Sequence, residues 1–151
     1  MNFCRIFAIV FSLTVFAAGG GEVRFLDPGF ESFRKKEKNP YWWQLLDKKS
    51  GTALSDAKVK HSGRYSLKVT VKDEFLYVRY LGGPFKTRPG IRYSFSLWAK
   101  GKGILNLVVK QNVERVGFVG EYWSRKTTPL CSPDFQLTEE WKQYTFVFAG
   151  K

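Results

Sequence analysis

The sequence has little of what metal centres and disulfide scaffolds need. Cys4 and Cys131 are its two cysteines, and His61 is its single histidine. Zinc sites are built mainly from histidine and cysteine ligands, so a zinc centre has too few candidates here. A Ser-His-Asp triad would have to use His61 beside a serine such as Ser62, which lacks a nucleophile-elbow context. These shortages argue against the common metal-dependent and nucleophilic active sites.

Helical periodicity is almost absent, whereas two-residue alternation of apolar and polar side chains recurs. In 65–72 every odd residue is apolar and every even residue is polar, as a strand with one buried face requires. In 91–100 the apolar row runs from Ile91 to Ala99, while Arg92, Ser94, Ser96 and Trp98 share the other face. The turn signal Pro89-Gly90 precedes this second strand.

Further strands are predicted on both sides of these two. Residues 104–110 form a more apolar, central strand, and Tyr144, Phe146 and Phe148 alternate with polar neighbours near the end. Weaker candidates are 23–26, 43–46, 53–59, 75–80 and 115–122. Many short strands separated by turns, without crossover helices, favour antiparallel sheets packed face to face. We therefore expect an all-β antiparallel β-sandwich.

The N-terminal segment has the pattern of a secretory signal. Arg5 precedes the apolar run 6–18, which is too short to span a bilayer and is followed by small residues. We expect 1–20 to be removed, leaving one domain over 21–151 that is secreted, periplasmic or on the cell surface and has no membrane contact. The alternative interpretation is an uncleaved N-terminal anchor. After processing, Cys131 is the only cysteine, which excludes an internal disulfide.

Basic residues outnumber acidic ones, 25 to 13, giving a formal net charge of +12. Such an excess favours attraction to anionic surfaces such as acidic glycans or cell-wall polymers. Export makes nucleic acid the least expected of the anionic partners, and none is predicted. The alternative is a charge that only solubilises the surface, because the basic residues are scattered along the chain.

Five segments occur in the order and at the spacing of a known family. They are 25–31 (FLDPGFE), Trp42 or Trp43, 61–69 (HSGRYSLKV), 89–101 (PGIRYSFSLWAKG) and 141–148 (WKQYTFVF). Together they resemble the carbohydrate-binding modules with a galactose-binding-like jelly roll that are appended to cellulases and xylanases. The resemblance implies a jelly roll, a turn role for His61, and further strands after 141–148, so the module is expected to lack its final strand or strands.

The same resemblance implies a structural calcium ion near the first strand. Its ligands would include an acidic residue at Glu31 and a partner from the final strand, with Asp27 as the other nearby candidate. Hard cations prefer such carboxylate and carbonyl oxygens. Because the final-strand partner is missing, the affinity of this calcium site is in question.

Sugar binding requires flat aromatic faces surrounded by hydrogen-bonding side chains. Trp98 lies on the predicted polar face with Arg92, Ser94 and Ser96, which suggests ligand stacking, although cover by a neighbouring loop is the alternative. Of the other aromatic residues, Trp42 is assigned to the rim and Trp43 to the core, and Tyr122 and Trp123 pose the same choice near a probable loop. Trp42 and Tyr122 are the further residues expected to bind sugar, and Trp141 is assigned to the core.

The sequence therefore predicts a non-catalytic module that binds β-glucan, xylan or a related polysaccharide and targets an attached or lost catalytic domain. The alternative is a structural or protein-contact domain of a larger exported protein, in which other domains cover the aromatic residues. A carboxylate pair such as Glu74 and Glu121 is the one remaining enzymatic option. Ordinary surface carboxylates explain these two residues better, and no catalytic residue is predicted.

Overall fold

The computed structural model describes the backbone of residues 9–10, 15–17, 22–23, 29–34, 39–40, 43–45, 48–72, 76, 78–80, 87–119 and 122–150. Side chains are described for 29–32, 48–72, 76, 78, 87–109 and 129–150. No described residue is helical, and hence no helix in these ranges has the length and apolar character to cross a bilayer. The predicted all-β class is confirmed for this part of the chain.

The described ranges contain short strands in the first half of the chain and longer ones in the second. In chain order they are β1 Ile9–Val10, β2 Val15–Ala17, β3 Glu22–Val23, β4 Phe33–Arg34, β5 Asn39–Pro40, β6 Trp43–Leu45, β7 Gly51–Asp56, β8 Ser66–Val71, β9 Val78–Tyr80, β10 Arg92–Ala99, β11 Ile104–Leu105, β12 Val108–Val119, β13 Tyr122–Cys131, β14 Phe135–Gln136 and β15 Lys142–Ala149.

In the described backbone the main sheet has seven strands, and β10 is at its centre. Along one edge β10 pairs with all eight residues of β15, and along the other it pairs with β1 and β2. Strand β1 also pairs with β8, which in turn pairs with β7 over its whole length. The strand order is thus β3-β2-β10-β1-β8-β7, with β15 beside β10. All of these pairings are antiparallel.

Four further antiparallel pairs lie outside the main sheet: β4 with β5, β6 with β9, β11 with β14, and β12 with β13. The single strand predicted over 104–110 is divided between two of these pairs. The backbone amide of Leu107 donates to Ser132 Oγ (2.9 Å), and Ser132 N donates to the Leu107 carbonyl (2.9 Å). These bonds replace regular ladder pairing at 106–107 and separate β11 from β12.

The core lies on the inner face of the main sheet. Alternate residues of β8, β10 and β15 are buried, as two-residue alternation requires. They meet apolar side chains from outside the sheet, above all Phe30, which is fully buried. The buried cluster comprises Phe30, Ala53, Leu67, Val69, Val71, Tyr93, Leu97, Ala99, Leu105, Leu107, Leu137, Tyr144, Phe146 and Phe148.

The turn before β10 fixes where that strand begins. Pro89 and Gly90 form its centre, Gly90 has a φ of 77°, and the Ile91 amide donates to the Arg88 carbonyl at 3.2 Å. Proline followed by a residue with positive φ is typical of a type II turn. The Arg88 amide also donates to the hydroxyl of Tyr93 (2.8 Å), which ties the turn to the buried side of β10.

Strands β1 and β2 come from the segment that the sequence predicts to be a removable signal. Their register places Ile9 opposite both Leu67 and Ala99, and Val15 opposite Phe95. In the described backbone, β1 is the link that joins the β7–β8 pair to β10. Loss of this segment would leave one edge of β10 and one edge of β8 with unpaired backbone groups.

We predict that a chain beginning at residue 21 is less stable than the full chain, because it loses these ladder hydrogen bonds. Its thermal midpoint should fall by at least about 2–4 °C, the shift that roughly 1 kcal/mol produces in a domain of this size. Amide hydrogen exchange in β8 and β10 should accelerate. A chain lacking only residues 1–8, which keeps β1 and β2, is the control. Equal midpoints and equal exchange in all three chains would contradict the prediction.

Candidate functional site

The outer face of β10 and β15 carries four of the residues predicted to bind a ligand. Arg92 is exposed, whereas Ser94, Ser96 and Trp98 are half-buried on the same side of β10. Six residues of extended chain separate Arg92 from Trp98, a distance of about 20 Å. The face is therefore long, with an arginine at one end and a tryptophan at the other.

Strand β15 widens this face. Across from β10 its exposed residues are Gln143 opposite Trp98, Thr145 opposite Ser96 and Val147 opposite Ser94. The hydroxyls of Ser96 and Thr145 lie 2.8 Å apart and share a hydrogen bond. The centre of the face thus presents small hydroxyl groups, which can donate to or accept from a polar ligand.

Trp98 is not an isolated aromatic platform, because the imidazole of His61 stacks on it. The ring centroids are 4.2 Å apart and the planes differ by 14°. His61 itself is exposed and belongs to the connection 57–65 between β7 and β8. Ligand stacking and cover by a neighbouring loop were the two interpretations of Trp98. Cover by a loop residue therefore applies to one face of its indole ring. His61 lies in a turn segment, as predicted. Its contact with Trp98 was not predicted.

Trp141 extends this contact to a third ring. It lies edge-on to His61, with centroids 5.6 Å apart, and the Nζ atom of Lys100 is 5.7 Å from the Trp141 centroid. Trp141 was predicted to be in the core, but it is half-buried. We call Trp98, His61, Trp141 and Lys100 the aromatic corner. Sequence alternation along one strand carries no signal for such a cluster, because its members come from three separate segments.

The connection 57–65 is held at its start by Asp56 and Ser66. Asp56 Oδ1 accepts hydrogen bonds from the amides of Lys58 (2.7 Å) and Val59 (3.4 Å). The fully buried Ser66 hydroxyl donates to the Val59 carbonyl. This explains why the strand predicted over 53–59 ends at Asp56: an Asx turn bends the chain there.

Glu31 holds the other end of the connection. One carboxylate oxygen accepts the amides of Arg64 (2.7 Å) and Tyr65 (3.4 Å), and the other accepts Arg64 Nε at 2.9 Å. Gly63 has a φ of 69°, and a Cβ added there would overlap Glu31 Oε1. The contact therefore needs glycine at 63. It also joins two segments of the family resemblance that lie far apart in sequence.

The pKa of Glu31 is lowered by this contact. Burial by itself would raise the pKa, but the backbone amide and side chain of Arg64 and the backbone amide of Tyr65 outweigh burial by stabilising the carboxylate. A carboxyl group with a lowered pKa in the folded state stabilises the fold above its unfolded pKa. That stability is lost as the pH falls through the lowered pKa.

The surroundings of Glu31 fit a calcium ion poorly. Arg64 already neutralises the carboxylate, and a cation bound there would have to displace its guanidinium. Among the described residues, no group of three or more acidic, histidine or cysteine side chains is placed to hold a metal. Asp27, the other candidate ligand, lies outside the described residues.

Several other sequence-based assignments fall outside the described part. Trp42, Glu74 and Glu121 are not described, and the side chains of Trp43, Tyr122 and Trp123 are not described although their strands are. The strand predicted over 115–122 is divided, because 115–119 belong to β12 and Tyr122 begins β13, which pairs with β12. The carboxylate pair considered for glycoside hydrolysis is thus without a described geometry.

Two open grooves share residues with the aromatic corner or with the outer face of β15, Lys100 in one groove and Val147 in the other. One, of about 410 Å³, lies beside the aromatic corner and is lined by Val59, Lys100, Gly101, Lys102 and Glu139. The other, of about 380 Å³, is lined by residues 129–131 and 146–149, and is mainly apolar. Exposed Val147 and the free thiol of exposed Cys131 belong to this second groove.

Comparison of the chain with protein-family models, with curated proteins and with solved structures gives no match. The resemblance to carbohydrate-binding modules therefore depends on the five sequence segments alone. Two of them meet through the Glu31–Arg64 contact, and two more pair with each other as β10 and β15.

We predict that Glu31→Gln lowers the free energy of unfolding at neutral pH by about 1 kcal/mol, because a neutral amide binds Arg64 less strongly than a carboxylate. The difference from the parent should vanish as the pH falls through the lowered pKa of Glu31. Denaturant unfolding across a pH series measures both effects. Glu139→Gln is the matched control, because its ion pair with Lys102 is exposed at 77% and 70%. A constant difference at every pH would contradict the assignment.

Proposed function

We propose that this chain is a non-catalytic module that binds polysaccharide, such as β-glucan, xylan or a related glycan, through the outer face of β10 and β15. The observation that carries the proposal is the aromatic corner at one end of a strand face lined with hydroxyl groups. Aromatic rings favour the apolar faces of sugar rings, and hydroxyl side chains bond their hydroxyls. The residues of the proposed site are Trp98, Ser94, Ser96 and Arg92. We add His61, which stacks on Trp98, and Trp141, which lies edge-on to His61.

The finer features of the proposal come from the sequence. The resemblance implies a galactose-binding-like jelly roll and an attached or lost catalytic domain. The pattern of the N-terminal segment implies a secreted, periplasmic or surface location after loss of 1–20. Trp42 and Tyr122 remain proposed contacts of the ligand. A calcium ion at Glu31 and Asp27 stays a proposal too, and the Arg64 contact makes it the weakest of these features.

One observation favours a second function, that of a structural or protein-contact domain. The apolar groove between 129–131 and β15 includes Val147, which is 56% exposed. An exposed apolar patch of this kind is typical of a surface that packs against another protein or domain. This function predicts no sugar ligand and predicts that assembly covers Trp98.

We expect the chain to be retarded in affinity electrophoresis by at least one soluble glycan from a panel that includes β-glucan and xylan. Trp98→Ala should weaken binding at least about tenfold, a loss of about 1.4 kcal/mol, because the stacking surface is removed. Trp98→Phe should retain part of the binding. Thermal unfolding of each variant separates loss of the site from loss of the fold.

Leu54→Ala is the matched control, since Leu54 is an exposed side chain of β7 in the same sheet. It should leave retardation unchanged. If no glycan in the panel retards the parent chain, the proposal fails and the protein-contact function is favoured. If Leu54→Ala and Trp98→Ala weaken binding equally, the site has been placed on the wrong part of the sheet.

A further inference from the structure

We propose that the glycan bound at this site is acidic, a polymer of uronic acid or another carboxylated sugar, and that Lys100 binds its carboxylate. This inference rests on the proposed function and specifies its ligand class. It starts from the position of Lys100, which belongs both to the aromatic corner and to the groove of about 410 Å³. A ligand stacked against the rings would therefore meet the ammonium group of Lys100, which lies 5.7 Å from the Trp141 ring centroid.

Cations predominate around the aromatic corner. Lys58 and Lys60 flank Val59, which lines the groove, and both side chains are exposed. Within the described part of the chain, Lys58, Lys60 and Lys100 make no ion pair. Their charges are therefore not neutralised by a described carboxylate and are available to an anionic ligand.

Three of the four described carboxylates near the aromatic corner are already engaged, and the fourth, exposed Glu140 beside Trp141, has no ion pair among the described residues. Glu31 binds Arg64, Asp56 accepts the amides of Lys58 and Val59, and Glu139 pairs with Lys102 at 3.0 Å. Among the described residues that line the groove, Glu139 is the acidic one. Because Glu139 pairs with Lys102, Lys100 is the charged lining residue whose charge no other described lining residue neutralises.

The combination of rings and ammonium groups selects the ligand chemistry. A uronic acid presents the apolar face of a pyranose ring and, at its edge, a carboxylate. The rings of the corner suit the first feature, and a lysine ammonium with three donors suits the second. An inorganic anion or a peptide of acidic residues would contact the lysines but would offer no sugar ring to the aromatic side chains.

The experiment compares the full chain against polygalacturonate, a neutral xylan or β-glucan, and polyglutamate, at low and high ionic strength. We expect polygalacturonate to bind at least about tenfold more tightly than the neutral glycans at low ionic strength and to weaken as salt increases. Lys100→Gln should weaken polygalacturonate binding about threefold and leave neutral-glycan binding unchanged. Lys72→Gln is the matched control, because exposed Lys72 directly follows β8, at the end of that strand away from the connection 57–65.

The outcomes separate this inference from the proposed function. Equal, salt-insensitive binding of neutral and acidic glycans overturns the acidic ligand and leaves the proposed function intact. Absence of binding to any glycan overturns both. Equal binding of polyglutamate, or equal effects of Lys72→Gln and Lys100→Gln, would show a general response to polyanions and overturn the site. A second variant, Lys58→Gln with Lys60→Gln, should act in the same direction as Lys100→Gln, and tighter binding by it would also overturn the inference.

Discussion

The alternation along β10 is the constraint on which the rest of the structure depends. Tyr93, Leu97 and Ala99 fill the core on one side, so the residues between them must face outward. A shift of one residue in register would expose this apolar row and bury Arg92. The full-length pairing with β15 fixes that register. The outer face and its tryptophan are therefore consequences of how the core is filled.

The aromatic corner depends on a second constraint, the anchoring of the connection 57–65. Fixing a nine-residue connection costs conformational entropy, which hydrogen bonds at its two ends must offset. Asp56 and the buried Ser66 supply them at the start, and Glu31 supplies them at the end. With both ends held, His61 is kept above Trp98. Glu31 thus acts on the candidate site from a distance, through the backbone of Arg64.

The strands that alternate clearly could be predicted from the sequence, because each follows from a local rule. The β10 segment was predicted within one residue of its observed bounds, and the Pro89-Gly90 turn that precedes it was identified. The division of 104–110 could not be predicted, since it depends on Ser132, which is distant in sequence. The contact between His61 and Trp98 is of the same kind. The alternation along a strand therefore predicts which residues share a face, but it does not predict which residues from other segments pack on that face.

The apolar N-terminal segment fits two different roles, a secretory signal and a strand of the main sheet. A secretory signal must be apolar along its length, and a strand that joins β8 to β10 must also present apolar residues to the core. The segment 6–18 satisfies both, which is why its pattern alone does not separate the two roles. Its described residues, 9–10 and 15–17, pair in register with β10.

If export removes this segment, the freed edges of β8 and β10 need another antiparallel strand, because unpaired backbone groups at a sheet centre are unfavourable. The stability of the exported fold, and with it the position of Trp98 on β10, therefore depends on what pairs with that edge.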